Sequence, residues 1–205
     1  MGFLNASSSF TRFRIADPVP ATLWPTLPDK LKQFCFRDID NTSDERSWGW
    51  VCFDDMLDTA WRTAPPEKGG YIAFSLRQDT RRIPAAVLKK HLSLALREEE
   101  ARNKEQGKKF ISRERKKELK EQTRLRLMSR FLPIPAEFNV LWAIDTGIIY
   151  FASTQSKMID LFSDYFTLTF DLHLEPLTPY ALAASMLDEA AMTRLDTLEP
   201  TRFAG

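Results

Sequence analysis

Residues 138–152, FNVLWAIDTGIIYFA, contain the strongest indication of the fold. Two runs rich in aromatic and β-branched residues flank Thr146-Gly147, and a glycine in a two-residue connection is typical of a β-hairpin. The stretch therefore predicts two adjacent antiparallel strands. The whole chain has 205 residues with fifteen Phe, five Trp and four Tyr, which is enough apolar material for a core and excludes a disordered chain.

Similar patterns lie on both sides of this hairpin. Strand-like alternation or apolar runs occupy residues 11–16, 48–53, 71–76 and 172–177. Helical spacing of apolar residues occupies 23–36 and about 155–166. The order strand–helix–strand–strand, then strand–strand–helix–strand, predicts an α+β fold with a mostly antiparallel sheet. It is not the alternating order of a parallel, Rossmann-type sheet.

Between these two halves, residues 81–130 follow a different pattern. Pro84 suits the first turn of a helix, and apolar residues then recur at helical spacing until Gly107. Ser112 is suited to cap a second helix, which should end before Pro133. The pattern predicts an inserted helical hairpin. We divide the chain into an α/β body (1–80 and 131–185), this hairpin (81–130) and a loosely ordered tail (186–205).

The charge of the chain is concentrated in the hairpin. Residues 81–130 hold 17 Lys or Arg against 7 Glu, a local net charge of +10, whereas the other 155 residues carry −9. Such segregation is typical of a surface that meets a polyanion. Two alternative interpretations are a solvated helix face and a surface that binds an acidic protein partner.

The second helix of the hairpin carries a row of cations. Arg113, Lys117, Lys120 and Arg124 are spaced to share one face over about 16 Å, a length comparable with several phosphate spacings of duplex DNA. No helix-turn-helix, zinc-finger or base-stacking pattern accompanies them. We therefore predict contact with phosphates without sequence preference. The predicted DNA-binding residues are Lys89, Lys90, Arg97, Lys108, Lys109, Arg113, Lys116, Lys117, Lys120, Arg124, Arg126 and Arg130.

Motifs for other chemistry are missing from the sequence. There is no glycine-rich phosphate loop and no G-x-S-x-G nucleophile elbow. Two cysteines (Cys35, Cys52) and two histidines (His91, His173) make no Cys/His metal site. We therefore predict no catalytic residue, no metal, no cofactor and no small-molecule substrate. No apolar run is long enough to cross a membrane and no signal-peptide pattern is present, so we expect a cytoplasmic protein.

A cluster of carboxylates supports one alternative function. Clustered carboxylates can hold Mg²⁺ for phosphodiester cleavage, and the candidates for a DNA exonuclease site are Asp38, Asp40, Asp54, Asp55 and Asp58. The same residues also fit ordinary acidic turns and a helix cap. A nuclease would need these carboxylates to converge beside the basic surface, so their placement discriminates between the two interpretations.

An ordered series of short motifs over residues 48–180 resembles a known family, the bacterial recombination-associated RdgC proteins. The motifs are Gly49-Trp50-Val51, Arg81-Arg82-Ile83-Pro84, Phe131-Leu132-Pro133, Trp142-Ala143-Ile144-Asp145-Thr146-Gly147, Ala152-Ser153 and Glu175-Pro176-Leu177-Thr178-Pro179. The resemblance implies a nucleoid-associated, sequence-independent DNA-binding protein without established catalysis. It also implies a ring-shaped homodimer that encloses duplex DNA and can limit loading of the RecA recombinase. The family is also labelled an exonuclease.

Two departures from the family change what is expected. Family members usually extend further, and the C-terminal portion that helps to close their ring does not follow in this sequence, so we expect a homodimer that forms an open clamp. The loop after Leu132-Pro133 is short, and we assign no DNA-wedging role to Phe138, the one aromatic residue available there. An aromatic surplus that includes Phe162, Phe166 and Phe170 suggests a dimer surface, with an internal core as the simpler alternative.

Overall fold

The computed structural model describes residues 2–107 and 110–199 of the chain. Seven strands form one sheet in the order β2-β4-β5-β6-β1-β7, with β3 beside β4, and every strand pair is antiparallel. The predicted α+β class is confirmed. The strands are β1 Thr11–Ile15, β2 Arg46–Cys52, β3 Glu67–Lys68, β4 Tyr71–Thr80, β5 Ile134–Ala143, β6 Ile148–Phe151 and β7 Leu174–Pro176. The helices are α1 Leu23–Gln33, α2 Ala85–Glu105, α3 Arg113–Met128, α4 Ser156–Phe170, α5 Pro179–Met186 and α6 Glu189–Asp196.

Helices α1 and α4 pack on one face of the sheet and enclose an aromatic core. Trp50 of β2 is fully buried there, and its indole Nε1 donates a hydrogen bond to Thr169 Oγ1 of α4 at 2.8 Å. Its ring also meets the rings of Phe74 and Tyr165. Burial of this kind is the main stabilising contribution to the fold, because large apolar surfaces leave water.

The three phenylalanines suggested as a dimer surface lie inside this core. Phe162 and Phe166 are fully buried and Phe170 is 3% exposed. Phe162 stacks on Phe151, and both Phe166 and Phe170 contact Trp142. The suggestion of a dimer surface at these residues was wrong, because their side chains fill the space between α4 and the sheet.

The opposite face of β4 is buried as well, and the loop of residues 53–66 that follows β2 contributes to its cover together with Phe36. Arg77 is 7% exposed, forms two hydrogen bonds to the Asp79 carboxylate at 2.8 and 2.7 Å, and donates to the Met56 carbonyl. The hydrogen bonds to Asp79 raise the pKa of Arg77 above its usual value. A paired guanidinium can be buried in this way because its charge is matched and its donors are used.

The turn of the predicted β-hairpin differs from the expected form. β5 ends at Ala143, and residues 144–147 form a four-residue connection instead of the predicted two-residue one. Gly147 has φ +65°, and its N–H donates to the Ala143 carbonyl at 3.0 Å. A longer hairpin loop that ends on a left-handed glycine uses the same glycine signal, so the sequence located the turn but gave the wrong length.

Gly49 allows β2 to approach a neighbouring segment of chain. The N–H of Trp50 donates to the Phe34 carbonyl and the N–H of Phe36 donates to the Trp50 carbonyl, each at 3.0 Å. A Cβ atom placed on Gly49 would lie 2.4 Å from the backbone of Phe36. The glycine is therefore needed for this close contact, which covers the outer edge of β2.

Helices α2 and α3 form the predicted hairpin. Ser112 caps α3 as predicted, because its side chain accepts a hydrogen bond from the N–H of Arg115. Helix α3 buries Leu119, Thr123, Leu127 and Met128, whereas no side chain of α2 is fully buried. Within the segment predicted as a tail, α6 forms, and Tyr180 of α5 donates to Asp196. Among the described residues, no helix combines the length and apolarity needed to cross a membrane.

Candidate nucleic-acid interface

Most of the predicted DNA-binding cations lie on the surface of the hairpin. Lys108 and Lys109 lie outside the described residues, and Arg124 is half-buried. The exposed ones are Lys89, Lys90, Arg97, Arg113, Lys116, Lys117, Lys120, Arg126 and Arg130. None of these nine side chains forms an ion pair with a described residue, so their charges are available to an external anion.

Other cations of the hairpin are used to hold the structure together. Arg115 of α3 pairs with Glu99 of α2 at 2.8 Å and with Glu118 at 2.9 Å, and these bonds raise its pKa. Arg124 pairs with Glu45, the residue before β2, and so joins α3 to the body. Arg124 was predicted as a DNA contact, and the structure gives it an internal partner.

Arg81, at the start of the basic segment, also has an internal role. It is 3% exposed and donates to the backbone carbonyls of Ile39, Asp40, Thr42 and Asp44 at 2.6–3.2 Å. It therefore fixes the loop between α1 and β2. A charge count cannot separate such a residue from a surface cation, because the count contains no information on burial.

The row on α3 is divided by its surroundings. Arg113 and Lys117 are exposed, whereas Lys120 and Arg124 line a cleft between α3 and the neighbouring ends of β2 and β4. This hairpin-base cleft has a volume of about 530 Å³. Its lining residues are Glu45, Arg46, Thr80, Arg81, Arg82, Ile83, Leu88, Lys120, Glu121, Arg124 and Met128.

The sequence prediction missed three exposed cations near this surface. Arg46 and Arg82 line the cleft from strand ends, outside the helical pattern that guided the prediction. Lys104 follows Lys90 and Arg97 at seven-residue intervals along α2, on the side opposite the half-buried residues of that helix. The seven-residue spacing of Lys104 was a signal that the sequence already contained. Nothing in the sequence placed Arg46 beside α3.

Four of the five candidate catalytic carboxylates have a local hydrogen-bond or ion-pair partner. Asp38 accepts from the N–H of Asp40 at 2.7 Å, Asp54 pairs with Lys68 at 2.6 Å, and Asp55 accepts from the N–H of Leu57 at 2.9 Å. Asp58 accepts from the N–H groups of Thr63 and Ala60, and the bond from Thr63 lowers its pKa. Across residues 2–107 and 110–199, no three Asp, Glu, His or Cys side chains come together as a possible metal site.

Neither histidine has a nucleophile pattern around it in the sequence, and in the described residues the ring and the backbone N–H of His173 contact a carboxylate. His91 is half-buried on α2. His173 is exposed, and its backbone N–H and ring Nδ1 both contact the Asp17 carboxylate, at 2.6 and 2.9 Å. The backbone hydrogen bond lowers the pKa of Asp17. These contacts anchor the start of β7 to the end of β1.

A comparison with protein families matches residues 8–194 of the chain to the family described as "Putative exonuclease, RdgC". The chain belongs to the RdgC family. The match includes every strand of the sheet and both hairpin helices, so it covers the body and the hairpin together. No curated protein matches the chain. RdgC membership supports a coarse role, that of a bacterial DNA-associated protein related to recombination.

Proposed function

We propose that this RdgC-family protein binds duplex DNA without sequence preference, as a nucleoid-associated protein that modulates recombination or replication. The observation that carries the proposal is the basic surface of the hairpin, where nine predicted cations are exposed and have no carboxylate partner in the described chain. Long flexible cations of this kind neutralise phosphates and release counterions, which favours binding to any sequence.

The proposal assigns no catalysis to the protein. The support is that four of the five candidate carboxylates (Asp38, Asp54, Asp55 and Asp58) have local partners. In addition, no three Asp, Glu, His or Cys side chains of the described residues come together as a possible metal site. Two-metal cleavage of a phosphodiester needs carboxylates that converge on the ions. The family description names an exonuclease, so nuclease activity is the outcome to test against.

We include a homodimer in the proposal. One hairpin contacts DNA from one side, and pairing two copies about a two-fold axis doubles the number of phosphate contacts. The support for a dimer is the family membership. The core phenylalanines give no support, because they are buried and cannot form a dimer surface. Light scattering at micromolar concentration should give the mass of a dimer with and without DNA. A monomer mass in both conditions would contradict this part.

The salt dependence of DNA binding tests the central claim. Fluorescence anisotropy with two labelled duplexes of unrelated sequence should give equal affinities. If about six phosphates are neutralised, log affinity should fall against log salt with a slope near −5. A flat salt dependence, or a strong preference for one duplex, would contradict non-specific phosphate binding.

A nuclease assay tests the absence of catalysis. Labelled duplex and single-stranded DNA should remain intact during incubation with the protein and Mg²⁺ or Mn²⁺. Degradation that is abolished by Asp38→Ala or Asp54→Ala would overturn the non-enzymatic assignment. Degradation that survives both substitutions would point to a contaminating nuclease, and a repeat after further purification would then decide.

A further inference from the structure

The hairpin-base cleft differs in shape and chemistry from the exposed basic surface around it. Five basic side chains line it (Arg46, Arg81, Arg82, Lys120 and Arg124) against two glutamates (Glu45 and Glu121). Its volume of about 530 Å³ is in the range of small-ligand sites and is too small to admit a duplex. The ligand that fits is therefore an anion of limited size.

A buried arginine at the cleft supplies the second observation. The two terminal nitrogens of Arg81 are used by four backbone carbonyls, but its Nε is buried and has no hydrogen-bond partner among the described residues. A buried donor without a partner destabilises the protein, and more so when the group is charged. An anion in the cleft would offset this cost, chiefly by balancing the charge of the fixed guanidinium.

The rest of the lining points to an anion attached to an apolar group. Ile83, Leu88 and Met128 line the cleft together with the cations. Phosphate recognition uses arginine and lysine, whereas a sugar or base needs an apolar wall. A nucleotide carries both parts, and a bare inorganic anion would leave the apolar wall uncovered.

One of the cations that line the cleft already pairs with a carboxylate of the chain. Glu45 pairs with Arg124 across the mouth of the cleft, and both side chains are about half exposed, 51% and 43%. An exposed pair of this kind contributes little to stability and exchanges easily. Glu45 therefore acts as a competitor that an incoming phosphate would displace from Arg124.

We propose that the hairpin-base cleft binds a phosphate group carried on a nucleotide, with Arg46, Arg82, Lys120 and Arg124 as its ligands. The phosphate comes from a DNA strand terminus or from a free nucleotide. This proposal rests on the DNA-binding function only for the first source. The recognition of a terminal phosphate is distinct from the contacts with internal phosphates that the outer face of the hairpin makes.

Calorimetry with dAMP tests the cleft directly, with deoxyadenosine as the probe that lacks the phosphate. The protein should bind dAMP and not deoxyadenosine. Arg46→Gln combined with Arg82→Gln should weaken dAMP binding by at least about tenfold, because two of the four charged phosphate ligands are lost. The matched control, Arg113→Gln with Lys117→Gln on the outer face, should leave dAMP affinity unchanged. Equal binding of deoxyadenosine, or no effect of the cleft variant, would overturn the proposal.

A second variant should increase the affinity for dAMP, and a folding defect would not produce such an increase. Glu45→Gln removes the competitor of Arg124 and should strengthen dAMP binding severalfold. Glu67→Gln makes the same charge change on β3, beside the opposite end of β4, and should have no effect. If Glu45→Gln leaves dAMP binding unchanged or weaker, the displacement step is wrong and the proposal fails.

Two duplexes distinguish the source of the phosphate. A strand terminus as the source predicts tighter binding of a 5′- or 3′-phosphorylated duplex than of the same duplex with hydroxyl ends, and loss of this preference in Arg46→Gln with Arg82→Gln. A free nucleotide as the source predicts dAMP binding with no preference for ends. Binding of neither dAMP nor phosphorylated ends overturns the inference even if duplex binding persists. Binding of dAMP without any duplex binding overturns the proposed DNA function and leaves the inference standing.

Discussion

The sheet body and the helical hairpin are held together by different interactions. In the body, side chains such as Trp50, Trp142 and Phe162 have no contact with water. In the hairpin, α2 has no buried residue and α3 buries only Leu119, Thr123, Leu127 and Met128, while the Arg115–Glu99 pair joins the two helices. The body therefore depends on packing, which tolerates few changes, whereas the hairpin presents a charged surface whose residues can change without loss of the fold.

The largest expected effect is in the body. Trp50→Ala removes a fully buried indole that contacts Phe74, Phe162 and Tyr165, and it leaves Thr169 Oγ1 without its donor. We expect the free energy of unfolding to fall by about 3–5 kcal/mol, measured by urea denaturation. Trp50→Phe, which keeps a ring, should lose clearly less. A loss below about 1 kcal/mol for the alanine variant would contradict the contrast between the two regions.

Charge reversal on the hairpin should have an intermediate effect, which we expect on DNA binding and not on stability. Lys117→Glu combined with Lys120→Glu should weaken binding to all duplexes alike by at least about 2 kcal/mol, roughly thirtyfold, because two phosphate contacts are lost at physiological salt. The urea midpoint should not change, since both side chains are exposed. The matched control reverses two exposed lysines of the body, Lys32→Glu with Lys157→Glu. If the control weakens binding as much, the DNA surface lies elsewhere.

The smallest expected effect sharpens the contrast within the hairpin. Ser112→Ala removes the side-chain cap of α3 and should cost about 1 kcal/mol. Because no residue of α3 before Leu119 is buried, we expect this loss as faster hydrogen exchange in the first turns of α3, with the urea midpoint nearly unchanged. Ser185→Ala, an exposed serine near the end of α5, serves as the control. A large fall in global stability would show that hairpin and body unfold as one unit.

The elements with strong local patterns could be predicted from the sequence. Strands β1, β2, β4, β5 and β6 and the two hairpin helices follow from period-2 or period-3.6 spacing, and the N-cap at Ser112 follows from its position before the charged run. The prediction of a two-residue turn was wrong, because Gly147 ends a four-residue loop. A glycine indicates where the backbone is left-handed, but it does not set the length of the loop. The dimer surface was wrong because apolar content does not say which neighbour covers it.

The candidate site was predicted in part. Helical spacing was sufficient to place Arg113 and Lys117 on one exposed face. It could not reveal that Arg124 pairs with Glu45, which is 79 residues away, or that Arg81 is buried against four carbonyls. Both outcomes depend on how the end of the sheet meets α3. The pattern of charges along the sequence does not show contacts between residues that are distant in the chain.

The α+β class, the inserted hairpin and the segregation of positive charge could all be predicted from the amino-acid sequence, because each follows from periodicity or composition along a local stretch. The tertiary structure alone decided which cations are free, which are paired and which line the hairpin-base cleft. The physical reason is that burial and ion pairing are set by residues distant in the chain. Arg46 and Arg82 come to lie beside Lys120 only after β2 and β4 have paired and α3 has folded back over their ends.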